Sequence, residues 1–198
     1  MVIGPDTGRN PRPEQFDEID ALLAAAFGRR DEADLVRRLR ADGAMAFEQV
    51  MSWPIDTDWN MRIGAFAAIS RMTAPQNWFC LGPVAVWPVW QGGALAREDA
   101  LRNNYRFGSR LVRMIAQEFA DGGDWFRDLL GRAGLLDGPE TPTLVVLGKP
   151  SFYARAGFSR ERAARLTSPY PIDHTLIARA GDDVPERTLV YPAALDGI

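Results

Sequence analysis

Apolar residues recur at helical spacing in the first part of the chain and at strand spacing in its middle. Phe16, Ile19, Leu22, Leu23 and Phe27 fall three or four apart. That period predicts an amphipathic helix over 14–27, opening after Pro13 and closing at Gly28. Residues 31–41 read as a second helix, buried through Leu35, Val36 and Leu39, with Asp31 as the expected cap. Its acids, Glu32 and Asp34, fall in the first turn and Arg37, Arg38 and Arg40 in the last, the order a helix dipole favours. Three strand-like runs follow at 44–53, 62–72 and 78–87, separated by turn residues such as Pro54, Asp58, Pro75 and Asn77; this predicts an antiparallel meander. After an irregular stretch at 88–106, Leu111, Val112, Ile115, Ala116 and Phe119 mark a helix over 109–120. A short amphipathic piece at 125–130 lies within a Gly- and Asp-rich segment. Residues 143–147, TLVVL, are continuously apolar and β-branched, as in a strand covered on both faces. A short helix at 150–156 and final strands at 175–180 and 187–191 complete an α/β chain with one central mixed sheet flanked by helices.

The chain has 198 residues, 46% of them hydrophobic and 25% charged, which suits one domain with a full core. The N-terminal 1–12 is expected to be irregular, and no repeat or linker divides the rest. A net charge of −3 without a basic cluster argues against nucleic acid as a partner. Arginine carries nearly all the positive charge, a bias of GC-rich genomes. One cysteine, Cys80, and one histidine, His174, allow neither an internal disulfide nor a conventional zinc site, so no metal is expected. No apolar run approaches the roughly 18 residues that span a bilayer, and the first residues lack a secretory core. No membrane partner is expected, and the cytoplasm is the expected compartment.

The chemistry is concentrated between Leu81 and Val112, where LGPVAVWPVWQG leads through an irregular segment into YRFGSRLVRMI. Strand, glycine-bearing turn and helix in that order can hold an anion, because the first helical turn leaves N–H groups unpaired at the positive end of the dipole. Gly108 would admit a phosphate close to the backbone, with Arg106 and Arg110 adding charge. Such junctions are common, and this one alone specifies little.

LGPVAVWPVWQG followed by GSRLV resembles the central motif of the GNAT acetyltransferases, a strand leading to a Q/R-x-x-G-x-G/A turn and a helix. GKPSFYARAGF at 148–158 is similar to the family's second signature, a short helix carrying Tyr with Gly-Phe after it. SPYPIDHTLIARA and RTLVYPAAL resemble the tail of a bacterial subgroup of predicted N-acetyltransferases. The likeness runs from about Pro13 onward, with two insertions at about 92–104 and 122–142. Two registers are open for the turn. Gln91 to Ala96 fits with Ala at both glycine positions; Asn103 to Gly108 fits with Arg106 at the first, and this second register is preferred because it feeds the long helix.

The resemblance implies a GNAT-like fold and transfer of acetyl from acetyl-CoA to an amine by direct attack. Val84, Ala85 and Val86 would offer backbone hydrogen bonds to the pantetheine arm beside a β-bulge, and an N–H near Val84 would polarise the thioester carbonyl. The N–H groups of Tyr105, Arg106, Phe107, Gly108, Ser109 and Arg110 would meet the pyrophosphate. Tyr153, four residues before Gly157, stands where the family places its general acid; Tyr105 and Tyr170 are alternatives. Glu48 is the candidate base, although a glutamate on an exposed strand face is the commoner arrangement. His174 reads as a solvated loop histidine and Cys80 as a small buried hydrophobe. Most of the six tryptophans are expected to be packing residues, though Trp87, Trp90 and Trp125 could border an aromatic acceptor pocket. The acceptor would be a small-molecule or peptide amine, and the insertions could cover each other or form a homodimer surface. The competing reading is a non-catalytic CoA-binding or protein-interaction module on the same fold. A hydrolase or nucleotide enzyme fits less well, since no G-x-S-x-G, Walker or dinucleotide fingerprint occurs.

Overall fold

Strand β3, Met61–Arg71, is apolar from Ile63 to Ile69 and buried over that whole stretch, which places it at the centre of a sheet covered on both faces. The computed structural model describes residues 6–54, 61–93 and 107–196. Around β3 lie β1 (Asp6–Arg9), β2 (Met45–Pro54), β4 (Trp78–Val86), β5 (Thr143–Leu147) and β6 (Thr175–Arg179). The six strands stand in chain order, β1 to β6. All neighbours are antiparallel except β4 and β5. That parallel pair follows from the chain between them, since a parallel strand needs a long crossover. Here the crossover contains α3, Phe107–Asp121, and α4, Asp124–Arg132.

On one face of the sheet, Ala65, Ala67 and Ile69 pack under the apolar stripe of α3, Leu111, Val112, Ile115, Ala116 and Phe119. On the other, Ile63, Phe66 and Ala68 pack under α1, Phe16–Phe27, and α2, Asp31–Ala41. α1 ends at Gly28, whose φ of 70° carries the chain out of the helix while its N–H still reaches the Ala24 carbonyl at 2.9 Å. α2 begins at Asp31 itself, with Arg30 as the flanking residue and no side-chain cap bond. The expected Asp31 cap is therefore corrected: the carboxylate sits inside the first turn, where it still suits the dipole.

Three further expectations change. The N-terminal 1–12 is not wholly irregular, because Asp6–Arg9 pairs with β2 at the sheet edge. DTGR carries no apolar alternation, so its pattern gives no sign of a strand. The segment 122–142, expected as an insertion with one short amphipathic piece, contributes to the core. Leu130 and Leu135 join the core under α3, and Asn77 holds the segment by donating to the Asp137 and Glu140 carbonyls at 3.0 Å and accepting from the Asp137 N–H at 2.7 Å. Residues 187–191 form no strand of the sheet. Leu189 and Tyr191 are buried as their alternation implies, yet the segment makes only isolated bridges, Ala74 with Val190 and Thr167 with Thr188. Among the described residues, no helix is long and apolar enough to cross a membrane.

Candidate functional site

β4 runs beside β5 only as far as Leu81, which pairs with Val146. On its other side, Leu81 pairs with Ile69 and Val84 with Ala67. β4 thus spends three steps where β3 spends two, and the extra residue falls at Gly82–Pro83. Proline has no N–H to give to a ladder, and a bulged strand bends. β4 therefore parts from β5, and a cleft of about 370 Å³ opens at the parting. Leu81, Gly82, Pro83 and Val84 line it from β4, and Leu147 from the end of β5. Its far side is made by Phe27, Glu32 and Leu35 of the α1–α2 corner together with Tyr170 and Leu195.

Tyr153 also lines this cleft. It is the last residue of α5, Pro150–Tyr153, and its ring meets Phe158 edge-on at 5.7 Å. Gly148 makes that placement possible: a Cβ there would lie 2.4 Å from the tyrosine ring. Burial, and secondarily the nearby Cys80, raise the hydroxyl pKa above its ordinary value. Tyr170 shares the cleft, but its hydroxyl already donates to the Leu195 carbonyl at 3.1 Å. Tyr105, the other alternative, lies outside the described residues. Cys80 is buried, and desolvation pushes its thiol up to about 12, so it is a poor nucleophile at neutral pH. His174 is exposed, with Nδ1 3.4 Å from the Gly148 carbonyl.

The residues expected to hold the cofactor are distributed along β4 and α3. Val84 borders the cleft, Ala85 is buried under α1 and α2, and Val86 packs toward α3. The Val86 carbonyl accepts from Gln91 Nε2 at 3.0 Å, so the motif glutamine folds back on the strand. Phe107, Gly108, Ser109 and Arg110 form the first turn of α3; Tyr105 and Arg106 lie outside the described residues, as do residues 94–104 of the first insertion. At Gly108 a Cβ would approach Val86 Cγ2 to 2.8 Å. The glycine thus brings α3 close against β4, a packing role beyond the phosphate approach expected of it. Trp90 packs on Phe107 with ring centroids 5.2 Å apart, and both rings lie over Gly64 of β3.

Glu48 departs from expectation. It is buried, not on an exposed face. Arg40 of α2 grips its carboxylate through Nε at 3.1 Å and Nη2 at 2.7 Å. It does not line the cleft. A carboxylate closed by a bidentate arginine is a structural partner, and the base assignment finds no support in this geometry. The sequence reading did not single out the α1–α2 wall of the cleft. Glu32 figured there only as a first-turn charge, and nothing in its spacing distinguishes it from Asp31 or Asp34.

A mixed sheet opened by a bulge between its central parallel strands, with a helix returning against the bulged strand, is the fold of the GNAT acetyltransferases, and this chain has it. The structure is similar to YhbS of Escherichia coli, a GNAT family N-acetyltransferase solved in complex with CoA. The TM-score is 0.70 at 21% identity, over 99% of this chain and 94% of that one. It is also similar to a GNAT family acetyltransferase from Brucella melitensis in complex with acetyl-CoA, with a TM-score of 0.60 at 24% identity, over 96% and 99% of the two chains. The sequence matches no family model and no curated protein.

Proposed function

We propose that this chain is an acetyl-CoA-dependent N-acetyltransferase that passes the acetyl group directly to an amine bound beside the cofactor. The observation that carries the reading is the parting of β4 from β5 beyond Leu81, with Tyr153 on the wall of the resulting cleft. Acetyl-CoA would supply an activated thioester there. The residues fit its reactive end: the walls are mostly apolar, and β4 beyond the bulge runs without β5 as a neighbour. Two structures of similar fold hold CoA or acetyl-CoA, which supports a CoA thioester as the donor.

In this reading, backbone of Val84 orients the thioester carbonyl and the first turn of α3 faces the pyrophosphate. The amine nitrogen forms the new C–N bond as the C–S bond breaks, and the nitrogen gives up a proton to a base or to water. Tyr153 protonates the departing thiolate and recovers its proton from solvent. Its raised pKa suits that task, because the hydroxyl keeps its proton throughout the neutral range.

Saturating acetyl-CoA should raise the unfolding temperature, since ligand at about 100 times its Kd adds roughly 2.7 kcal/mol. Thiol release across an amine panel should then fall by about a hundredfold in Tyr153→Phe with cofactor affinity retained. The kcat profile should show no falling limb below about pH 10. No stabilisation by millimolar acetyl-CoA would overturn the proposal. Full activity of Tyr153→Phe would remove the tyrosine from the mechanism. Cofactor binding without thiol release from any amine would favour a non-catalytic CoA-binding module.

A further inference from the structure

The cleft continues past the thioester position to the α1–α2 corner, and its chemistry there is one-sided. Among the described residues, Glu32 is the only charged one lining it. Its side chain is 8% exposed, whereas that of its partner Arg29 is 56% exposed. Arg29 reaches it from the rim through Nε at 3.1 Å and Nη2 at 2.5 Å. A nearly buried glutamate of the cleft wall therefore has its counter-charge held on a solvent-facing side chain. Around it the surface is apolar and aromatic: Phe27, Leu35, Tyr170 and Leu195. Phe27 remains 41% exposed despite its position in the wall.

Resting on the acetyl-transfer reading, we infer that the acceptor is a small cationic amine on an apolar or aromatic body without a carboxylate, and that Glu32 is its recognition anion. An incoming ammonium can share or replace the Arg29 guanidinium, because a buried carboxylate left without a cation is costly and the exposed arginine loses little on release. The rings of Phe27 and Tyr170 suit an apolar body and can face a cation. An amino acid would bring its own carboxylate to Glu32, and among the described residues no lysine or arginine of the lining offsets the repulsion. The volume, about 370 Å³ shared with the acetyl end, restricts the body to roughly the size of one ring.

The test uses the full chain saturated with desulfo-CoA, so that amine binding is read by calorimetry without turnover. 2-Phenylethylamine should bind at least tenfold more tightly than phenylalanine, which differs only by the carboxylate. Glu32→Gln should weaken 2-phenylethylamine at least tenfold and leave phenylalanine within about twofold. Arg29→Gln should strengthen 2-phenylethylamine. A merely structural ion pair predicts that the two substitutions act in the same direction, and opposite signs exclude it. With acetyl-CoA, the Glu32→Gln effect should appear mainly in KM. Equal affinity for the two ligands, or an unchanged preference in both variants, overturns the inference. Absence of desulfo-CoA binding by the wild type instead overturns the transferase reading, and the acceptor inference with it. Retained desulfo-CoA affinity in each variant shows that it is folded.

Discussion

At Glu48 the carboxylate is closed by two arginine nitrogens and its backbone N–H donates to Asn10 Oδ1 at 3.2 Å. The Arg40 guanidinium in turn lies over the Phe16 ring, 3.8 Å from its centroid. One side chain thus ties β2, α2 and the start of α1 together. Glu48→Gln should cost about 2 kcal/mol in denaturant unfolding, the usual loss for a charged hydrogen bond. The rising limb of the kcat profile should not move. A displaced or vanished limb in a stably folded variant would restore Glu48 as the base. Tyr153 differs in that its ring lies on the cleft wall over Gly148. Its candidacy was readable from sequence because Gly148 and Gly157 bracket it in a recognisable signature. The burial of Glu48 was not readable, since a single polar residue in a strand gives only its alternation, and the partner that covers it comes from another element.

The contact between α3 and β4 sets the geometry of the anion-binding end. Gly108 stands where a Cβ would meet Val86 Cγ2 at 2.8 Å, so that either Val86 or the helix would have to shift. Gly108→Ala should therefore push the first turn of α3 away from β4 and weaken acetyl-CoA binding about tenfold. Val86→Ala removes the atom that would be struck, so the double variant should regain most of the affinity. If Gly108→Ala binds like the wild type, the close approach is not needed for the cofactor. The bulge belongs to the same scale. Gly82–Pro83 was visible in the sequence, but whether β4 slips there depends on β3 keeping its register from Ala67 to Ile69.

Across the whole molecule, the sheet divides two apolar layers, and a third cluster gathers Trp78, Cys80, Val145, Ile177, Leu189 and Tyr191 near the closing end of the chain. Cys80 sits inside that cluster with its thiol raised from 9.0 to about 12 by desolvation. A pKa higher in the folded state contributes stability that is complete below pH 9 and lost as pH rises toward 12, because the unfolded chain releases the proton first. Between pH 9 and 10 this should remove about 1 kcal/mol, or roughly 2–4 °C of Tm. Cys80→Ala should show a correspondingly shallower decline over that interval, while the smaller loss from Tyr153 and Tyr191, whose hydroxyls are raised from 10.0, sets in toward pH 10 in variant and wild type alike. Parallel declines for variant and wild type would place the alkaline sensitivity elsewhere.

Local periodicity by itself determined α1 to α5, strands β2 to β6 and the single mixed sheet, because a 3.6- or 2-residue repeat must be satisfied within each segment. The order of strand, turn and helix brought out Gly108, and the resemblance to the GNAT motifs brought out LGPVAVWPVWQG and Tyr153. Only the tertiary structure decided that β1 pairs at the edge, that 122–142 belongs to the core and that 187–191 stays outside the sheet. It alone set Glu48 against Arg40 and placed Glu32 on the cleft wall. Those outcomes depend on which distant segment arrives as a neighbour, and a hydrogen bond or ion pair between residues far apart leaves no period in either of them.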